Sequence, residues 1–310
     1  MLISRKKPPT TPGLPEGLSL EQLRERIDAC RELPSLRRIG ESLRERLSED
    51  ASTASEIAEV VERDPSLAAR VLQMVNSAFF GLARRVEHIE DAVFYLGLRQ
   101  IRELALSLPV IDEAASLCAG SSNQATWQAF WEHSLAVAMA NREIHALAGF
   151  SQERDLGYVS GLVHNIGHLV LSQILPSAFT ASIASAPVDT PGTFAGQERE
   201  RIGWDHAQVG ALYLRRHQLS AEVVEAVEFH VGPSLATEHP RFSASLELAD
   251  LLARCSGLTG AEPIDIPSPQ AWEASPSWEV VFPAPELSDR ARLRLERFVG
   301  KLPLLVDLLQ

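Results

Sequence analysis

Residues Gly161–His168 read GLVHNIGH and place two imidazoles and one amide within eight residues. His164 and His168 are four residues apart, so they would lie one turn apart on a helix. Asn165 follows the first of them directly. An amide offers a metal one weak oxygen ligand and no charge, whereas a carboxylate is anionic and can hold two cations at once. The residue at position 165 therefore separates a working two-metal site from a site without a bridging group.

This stretch is one of several short motifs that follow one another in a specific order. The others are Leu33-Pro34, Asp64–Leu72, Asn76–Gly81, Ile89–Gly97, Trp131–Ser134 and Gly203–Gly210. Together these motifs resemble the HDOD family over roughly residues 20–255. HDOD domains are relatives of HD and HD-GYP metal phosphohydrolases, and they are generally regarded as non-catalytic output or regulatory modules of bacterial signalling. The resemblance implies a regulatory role for this chain.

The resemblance also implies which residues correspond to the metal ligands of HD-type hydrolases. They are His133, His164, His206, His230 and Asp250. The chain departs from the pattern where Asn165 replaces the bridging Asp, Val231 replaces the second His of a pair, and His168 replaces a Lys. A binuclear centre is therefore not expected. Two alternatives stay open: a mononuclear site for iron, zinc, manganese or nickel, or a hydrogen-bonded polar core that binds no metal.

Composition excludes several classes of protein. The chain has 310 residues, of which 45% are hydrophobic and 23% are charged, so it can bury the core of one large domain or two ordinary ones. A formal net charge of −12 argues against general nucleic-acid binding. Its three cysteines, Cys30, Cys118 and Cys255, are too few and too far apart for a disulfide framework, which indicates a cytoplasmic location. No apolar run approaches the length of a membrane span.

Hydrophobic periodicity predicts an all-α, multi-helix bundle, because apolar residues recur at helical spacing and almost nowhere alternate with period two. We expect a flexible tail over 1–17, an N-terminal helical subdomain over 18–115 and an HD-like subdomain over 123–256 packed against it. Residues 257–310 are expected to form a Pro-rich strap and a C-terminal helix. Single helices are predicted over 124–148, 153–172 and 197–216, among others. His88, His145, His217 and His239 match no motif and are expected at the surface or at helix ends.

Three functional hypotheses follow. The favoured one is non-catalytic signal transduction through a signalling protein partner or a small ligand, with a nucleotide or cyclic nucleotide among the candidates. The second is a metal-dependent phosphohydrolase or phosphodiesterase with a degenerate site. The third is a nucleotide or metal sensor without turnover. Because two of the ligand roles are unfilled, the sequence argues against an enzyme but leaves the question open.

Overall fold

The computed structural model describes residues 18–29, 53–62, 65–76, 84–97, 101, 124–150, 156–184, 188–217, 219–260 and 262–307. Throughout these ranges the regular structure is helical, apart from one isolated bridge between Val188 and Ile264. The predicted all-α fold is therefore confirmed. Within the same ranges, no helix combines the length and the apolar character that crossing a bilayer requires. The predicted tail, Cys30 and Cys118 lie outside the described residues.

Among the described residues of the N-terminal region, four helices are present: α1 (Leu20–Ala29), α2 (Ala54–Glu62), α3 (Pro65–Val75) and α4 (Ile89–Leu96). Thr53 and Glu56 form a capping box at the start of α2, in which each side chain accepts a hydrogen bond from the backbone N–H of the other. Asn76 ends α3 and exchanges hydrogen bonds with the backbone of Val86 at 2.7 Å each. The capping box explains where α2 begins, and the hydrogen bonds of Asn76 hold the chain that follows α3 against Val86.

The described part of residues 124–255 forms the body of the fold and contains eight further helices. They are α5 (Gln124–Ala148), α6 (Leu156–Val163), α7 (Ile166–Ile174), α8 (Pro176–Ile183), α9 (Pro191–Ile202), α10 (His206–Arg216), α11 (Ala221–Phe229) and α12 (Pro240–Cys255). The long helix α5 packs against α6 and α12, while α10 packs against α7 and α11. The division into two subdomains stays a prediction.

Two helices that were predicted to be continuous are interrupted. The segment 153–172 breaks at His164 and Asn165, which form the turn between α6 and α7. The segment 197–216 breaks at Gly203, whose φ of 87° is strained for any side chain but accessible to glycine. Asp205 then caps α10 through a capping box with Gln208. Both breaks place chemically active side chains at helix ends, where they point into the interior.

The C-terminal part is more helical than the predicted strap. It contains a 3₁₀ turn (Ala271–Ala274) and helices α13 (Pro276–Val281), α14 (Pro285–Val299) and α15 (Leu302–Asp307). The aromatic residues Trp272 and Trp278 anchor it with ring centroids 5.1 Å apart. Its first residues are fastened to the loop before α9, because Val188 donates to the Pro263 carbonyl at 2.8 Å and accepts from the Asp265 N–H at 3.1 Å.

Candidate functional site

A buried polar centre lies where α5, α7, α9, α10, α12 and the strap meet. Its members come from these elements and from the end of α11, which makes seven segments, and none is more than 7% exposed. They are His133, His164, Asn165, His168, Glu198, His206, His230, Asp250, Arg254 and Glu262. Such a concentration of buried ionisable groups is uncommon unless the groups are paired or hold a ligand.

His133, His164 and Asp250 form the first group of metal-ligand type in this centre. The Nε2 atoms of the two imidazoles are 3.2 Å apart, and Oδ1 of Asp250 is 3.0 Å from His133 Nε2 and 3.9 Å from His164 Nε2. Each imidazole is oriented by its other nitrogen, because Nδ1 of His133 lies 2.7 Å from the Leu258 carbonyl and Nδ1 of His164 lies 2.7 Å from the Gly161 carbonyl. Metal-ligating histidines are commonly fixed in this way.

A buried arginine holds the two carboxylates behind this group. Nε of Arg254 donates to both oxygens of Asp250 at 3.1 and 3.0 Å, and Nη2 donates to Glu262 at 2.8 Å. Glu262 belongs to the strap, and its other oxygen accepts a hydrogen bond from Asn165 Nδ2 at 3.0 Å. A single guanidinium therefore pairs with both buried carboxylates and supplies one positive charge beside them.

His168, Glu198 and His206 form the second group of metal-ligand type. Glu198 Oε2 accepts from the backbone N–H of His206 at 3.0 Å and lies 2.5 Å from its Nδ1. Glu198 Oε1 is 3.4 Å from His168 Nε2, and the two imidazole rings are 4.0 Å apart between centroids. The carboxylate of Glu198 thus stands between the two histidines.

His230 lies between the two groups. Its ring centroid is 5.3 Å from that of His164 and 5.4 Å from that of His206. Its Nδ1 lies 2.7 Å from the Val227 carbonyl, which leaves Nε2 directed into the centre. Val231, the next residue, has no side-chain atom that could bind a metal.

The electrostatic environment divides the histidines into two kinds. Burial, reinforced by His133, holds the pKa of His164 well below its ordinary value, and burial with the charge of His206 lowers the pKa of His230 to about 4. For His206, burial opposes the charged form, but Glu198 outweighs it and raises the pKa to about 9. His164 and His230 are therefore neutral at pH 7, whereas His206 is protonated when no cation is bound.

The pKa values of the three buried carboxylates are lowered, although burial alone would raise them. Burial raises the pKa of Asp250, yet Arg254 and His133 hold it well below its usual range. Burial also raises the pKa of Glu262, but Arg254 outweighs burial and lowers it. The pKa of Glu198 is lowered against the effect of its burial by His206 and His168. All three carboxylates are ionised at neutral pH.

The five residues that the resemblance indicated do not share one cluster. His133, His164 and Asp250 lie at ligand spacing, His206 belongs to the second group, and His230 stands between them. Their role as metal ligands stays a prediction.

Sequence reasoning missed Glu198, Arg254 and Glu262. Only Arg254 carried a local signal, since it stands four residues after Asp250 on the same helix.

Of the two positions expected for His145, the surface or a helix end, the structure shows the second, because His145 lies in the last turn of α5. Its side chain is fully buried, stacks on Phe150 with ring centroids 4.2 Å apart, and places Nε2 at 2.8 Å from Ser245 Oγ. His145 therefore contributes to packing in the core.

The first group fits one cation. Spacings of 3.0 to 3.9 Å suit three ligand atoms that each lie about 2.1 Å from the same ion. Bound there, a divalent ion would supply Lewis acidity and link α5, the α6–α7 turn and α12. The paired centre of HD hydrolases does not fit, because the amide of Asn165 donates to Glu262 where a carboxylate should bridge, and Val231 supplies no ligand.

Comparison with known proteins shows the same fold in bacteria. The chain is 24% identical to an HDOD domain protein of unknown function from Geobacter sulfurreducens, whose crystal structure superposes with a TM-score of 0.71 over 93% of this chain and 97% of that one. A Marinobacter aquaeolei VT8 protein, provisionally assigned to signal transduction, is 21% identical with a TM-score of 0.63 over 93% of this chain and 65% of that one.

A curated relative is an uncharacterized protein of Treponema pallidum (strain Nichols), which is 26% identical over 239 residues. The match covers 74% of this chain and 43% of that protein, so the chain spans less than half the length of this relative. The sequence pattern of the HDOD domain matches residues 33–233. That match covers most of the chain, and the protein belongs to the HDOD family.

Proposed function

We propose that this chain is a non-catalytic HDOD module that relays a signal through contact with a protein partner. The observation that carries the proposal is the contact between Asn165 and Glu262. A carboxylate from the strap occupies the side of residue 165 where a bridging carboxylate and its two cations would have to meet. On this side of the centre, Glu262 is the hydrogen-bond partner of residue 165.

Access to the centre supports the same conclusion. The strap crosses the histidines so closely that a Cβ on Gly260 would lie 3.2 Å from the ring of His133. His133 Nδ1 lies against the Leu258 carbonyl, and Glu262 is paired with Arg254. A phosphodiester would have to displace these contacts before it could reach any imidazole. Hydrolysis also needs an activated water held between well-placed cations, and the bridging ligand for that arrangement is absent from this chain.

The outer surface offers features that suit a protein partner. On α4, Phe94 is 85% exposed and Tyr95 is 49% exposed, with ring centroids 5.5 Å apart. Large exposed aromatic side chains are enriched at protein interfaces. This part of the chain lies within the segment that matches the family, 33–233.

The test is an assay for phosphodiester hydrolysis with manganese, iron(II) or zinc supplied. It compares wild-type protein, Asn165→Asp/Val231→His, and His164→Gln as the blank. We expect no turnover above the blank in either protein, because the strap still lies against His133 and Arg254 still pairs with Asp250 in the double variant. Turnover by the wild type above His164→Gln would overturn the proposal, and turnover by the double variant alone would identify a hydrolase disabled by two substitutions.

A thermal-shift screen separates a partner-binding module from a small-ligand sensor. A ligand that binds the native state raises the unfolding temperature, by mass action. We expect no shift with nucleotides or cyclic dinucleotides. A concentration-dependent shift with one of them would replace the protein partner by that ligand class.

A further inference from the structure

The second group of buried side chains has ligand geometry of its own. One ligand atom from each of His168, Glu198 and His206 lies within 4.8 Å of the other two. Of the three, only His206 corresponds to a ligand position of HD hydrolases. Glu198 comes from α9 and His168 stands where HD-GYP enzymes have a Lys, so this set differs from the ligand set that the resemblance implies.

The unsatisfied polar atoms of the centre are concentrated in and beside this group. Among the described residues, Nε2 of His168, Oε1 of Glu198, Nε2 of His206 and Oδ1 of Asn165 are buried without a hydrogen-bond partner. No side-chain atom of His133, His164 or Asp250 shares this condition. Two of these atoms, Nε2 of His168 and Oε1 of Glu198, face each other at 3.4 Å without a hydrogen bond. Buried polar atoms in native proteins are nearly always paired, so these two atoms, together with Nε2 of His206 and Oδ1 of Asn165, indicate a missing binding partner.

The scaffold around the group is rigid and already oriented. Glu198 Oε2 is engaged by the backbone N–H and Nδ1 of His206, which leaves Oε1 of the carboxylate and Nε2 of the ring directed elsewhere. Helices α7 and α10 approach so closely that a Cβ on Gly167 would lie 1.8 Å from the carbonyl oxygen of His206. His168, the next residue, is thereby fixed against His206. Ligands that are held by their neighbours in this way favour binding because little reorganisation is needed.

The charges of the group suit a cation. A Lys at position 168 would repel a metal ion, whereas His168 adds a nitrogen lone pair and no obligatory charge. We propose that His168 Nε2, His206 Nε2 and Glu198 Oε1 bind one divalent transition-metal ion, with zinc as the best match to two imidazoles and a carboxylate. Nε2 of His206, which is buried without a hydrogen-bond partner, would gain the ion as its partner. Asn165, one helical turn before His168, offers its unpaired oxygen as a further ligand.

Zinc binding to the full-length, chelator-treated protein tests this inference. Bound zinc is measured by plasma mass spectrometry after desalting, for wild type, Glu198→Gln, His168→Gln and His133→Gln. We expect both Glu198→Gln and His168→Gln to lose one equivalent relative to wild type. His133→Gln, which alters only the first group, should retain that equivalent. Cobalt(II) substitution should give the wild type a visible absorption band that disappears in His168→Gln.

Two results would overturn the inference: wild-type protein that binds no zinc, or an equivalent that survives in both Glu198→Gln and His168→Gln. Loss of all zinc in His133→Gln alone would also overturn it, because the ion would then belong to the first group. Circular dichroism identifies any variant that fails to fold. If a second-group variant fails to fold, the cobalt(II) spectra of wild type and His133→Gln are compared instead. The same absorption band in both supports the inference, and its absence from His133→Gln overturns it. These measurements read metal content and ligand field, so they remain independent of the hydrolysis assay.

Discussion

The amide of Asn165 donates to the carboxylate of Glu262 over 3.0 Å, which joins the α6–α7 turn to a strap residue 97 positions later in the chain. An amide at position 165 can donate this hydrogen bond, whereas a carboxylate cannot. The residue that departs from the hydrolase pattern is therefore the residue that permits a second carboxylate to enter the centre. Loss of the bridging Asp and acquisition of the strap contact are two aspects of one arrangement.

Asn165→Asp should destabilise the protein instead of restoring a hydrolase. It removes the hydrogen bond and places two buried carboxylates against each other, for which we expect a loss of about 3 kcal/mol in the free energy of unfolding. Urea unfolding at pH 7 measures it. The double variant Asn165→Asp/Glu262→Gln exchanges donor and acceptor, so it should recover most of the loss. Additive losses in that cycle would show that the two side chains do not interact.

Arg254 should be the most sensitive charged residue of the fold. Arg254→Met leaves Asp250 and Glu262 buried without their cation, and we expect it to cost about 3–5 kcal/mol of unfolding free energy. Arg292→Met is the matched control, since Arg292 also pairs with an acidic side chain, Glu273 at 2.9 Å, but is 44% exposed. The control should lose less than about 1 kcal/mol. Equal losses in the two variants would show that Arg254 does not hold the centre together.

The sequence was sufficient for the fold class because helical periodicity and local caps decide it. Thr53 and Glu56, for example, stand three residues apart in the order typical of a capping box, and they form one. The interruptions were not predictable in the same way. Gly203 reads like any glycine until its φ of 87° is known. At the other break, the ring of His164 contacts His133 and His230, which are distant in sequence, and no local pattern reveals these contacts.

The members of the centre were predictable only where a family motif covers them. Glu198 lies in a helix rich in charged residues, PGTFAGQERERI, where nothing local separates it from its solvated neighbours. Glu262 enters from a Pro-rich segment without periodicity. Their burial results from the packing of α9 and the strap against α10 and α12, which is a long-range property that a sequence pattern does not contain.

Acid should destabilise the protein through its neutral buried histidines. The pKa of His230 is about 4 in the folded protein and 6.5 when unfolded, so the unfolded chain binds more protons between pH 4 and 6.5. Stability therefore falls as the pH decreases through this interval, by up to about 3 kcal/mol from His230 alone. His164 acts in the same direction.

His206 makes the free energy of unfolding decrease with rising pH on the alkaline side. Its folded pKa of about 9 exceeds the unfolded value of 6.5, so its contribution is complete below pH 6.5 and is lost as the pH rises towards 9. We expect a stability maximum near neutral pH in urea unfolding of the metal-free protein at pH 5, 7 and 9. His230→Gln should flatten the acid side, while His239→Gln, outside the centre, should leave it unchanged. An acid slope unaffected by His230→Gln would contradict this assignment.

Gly167 should tolerate no side chain, because a Cβ there would lie 1.8 Å from the His206 carbonyl oxygen and 2.8 Å from the Gly210 nitrogen. Both obstacles are backbone atoms, so α7 and α10 would have to separate, and the second histidine group with them. We expect Gly167→Ala to lower the unfolding free energy by about 3 kcal/mol or more. Gly196→Ala is the control, since position 196 lies inside α9 with only the end of Arg199 within 4 Å, at 3.9 Å. That substitution should stabilise the helix by about 0.5–1 kcal/mol. If both variants unfolded at the wild-type urea concentration, the close contact of α7 with α10 would not exist in solution.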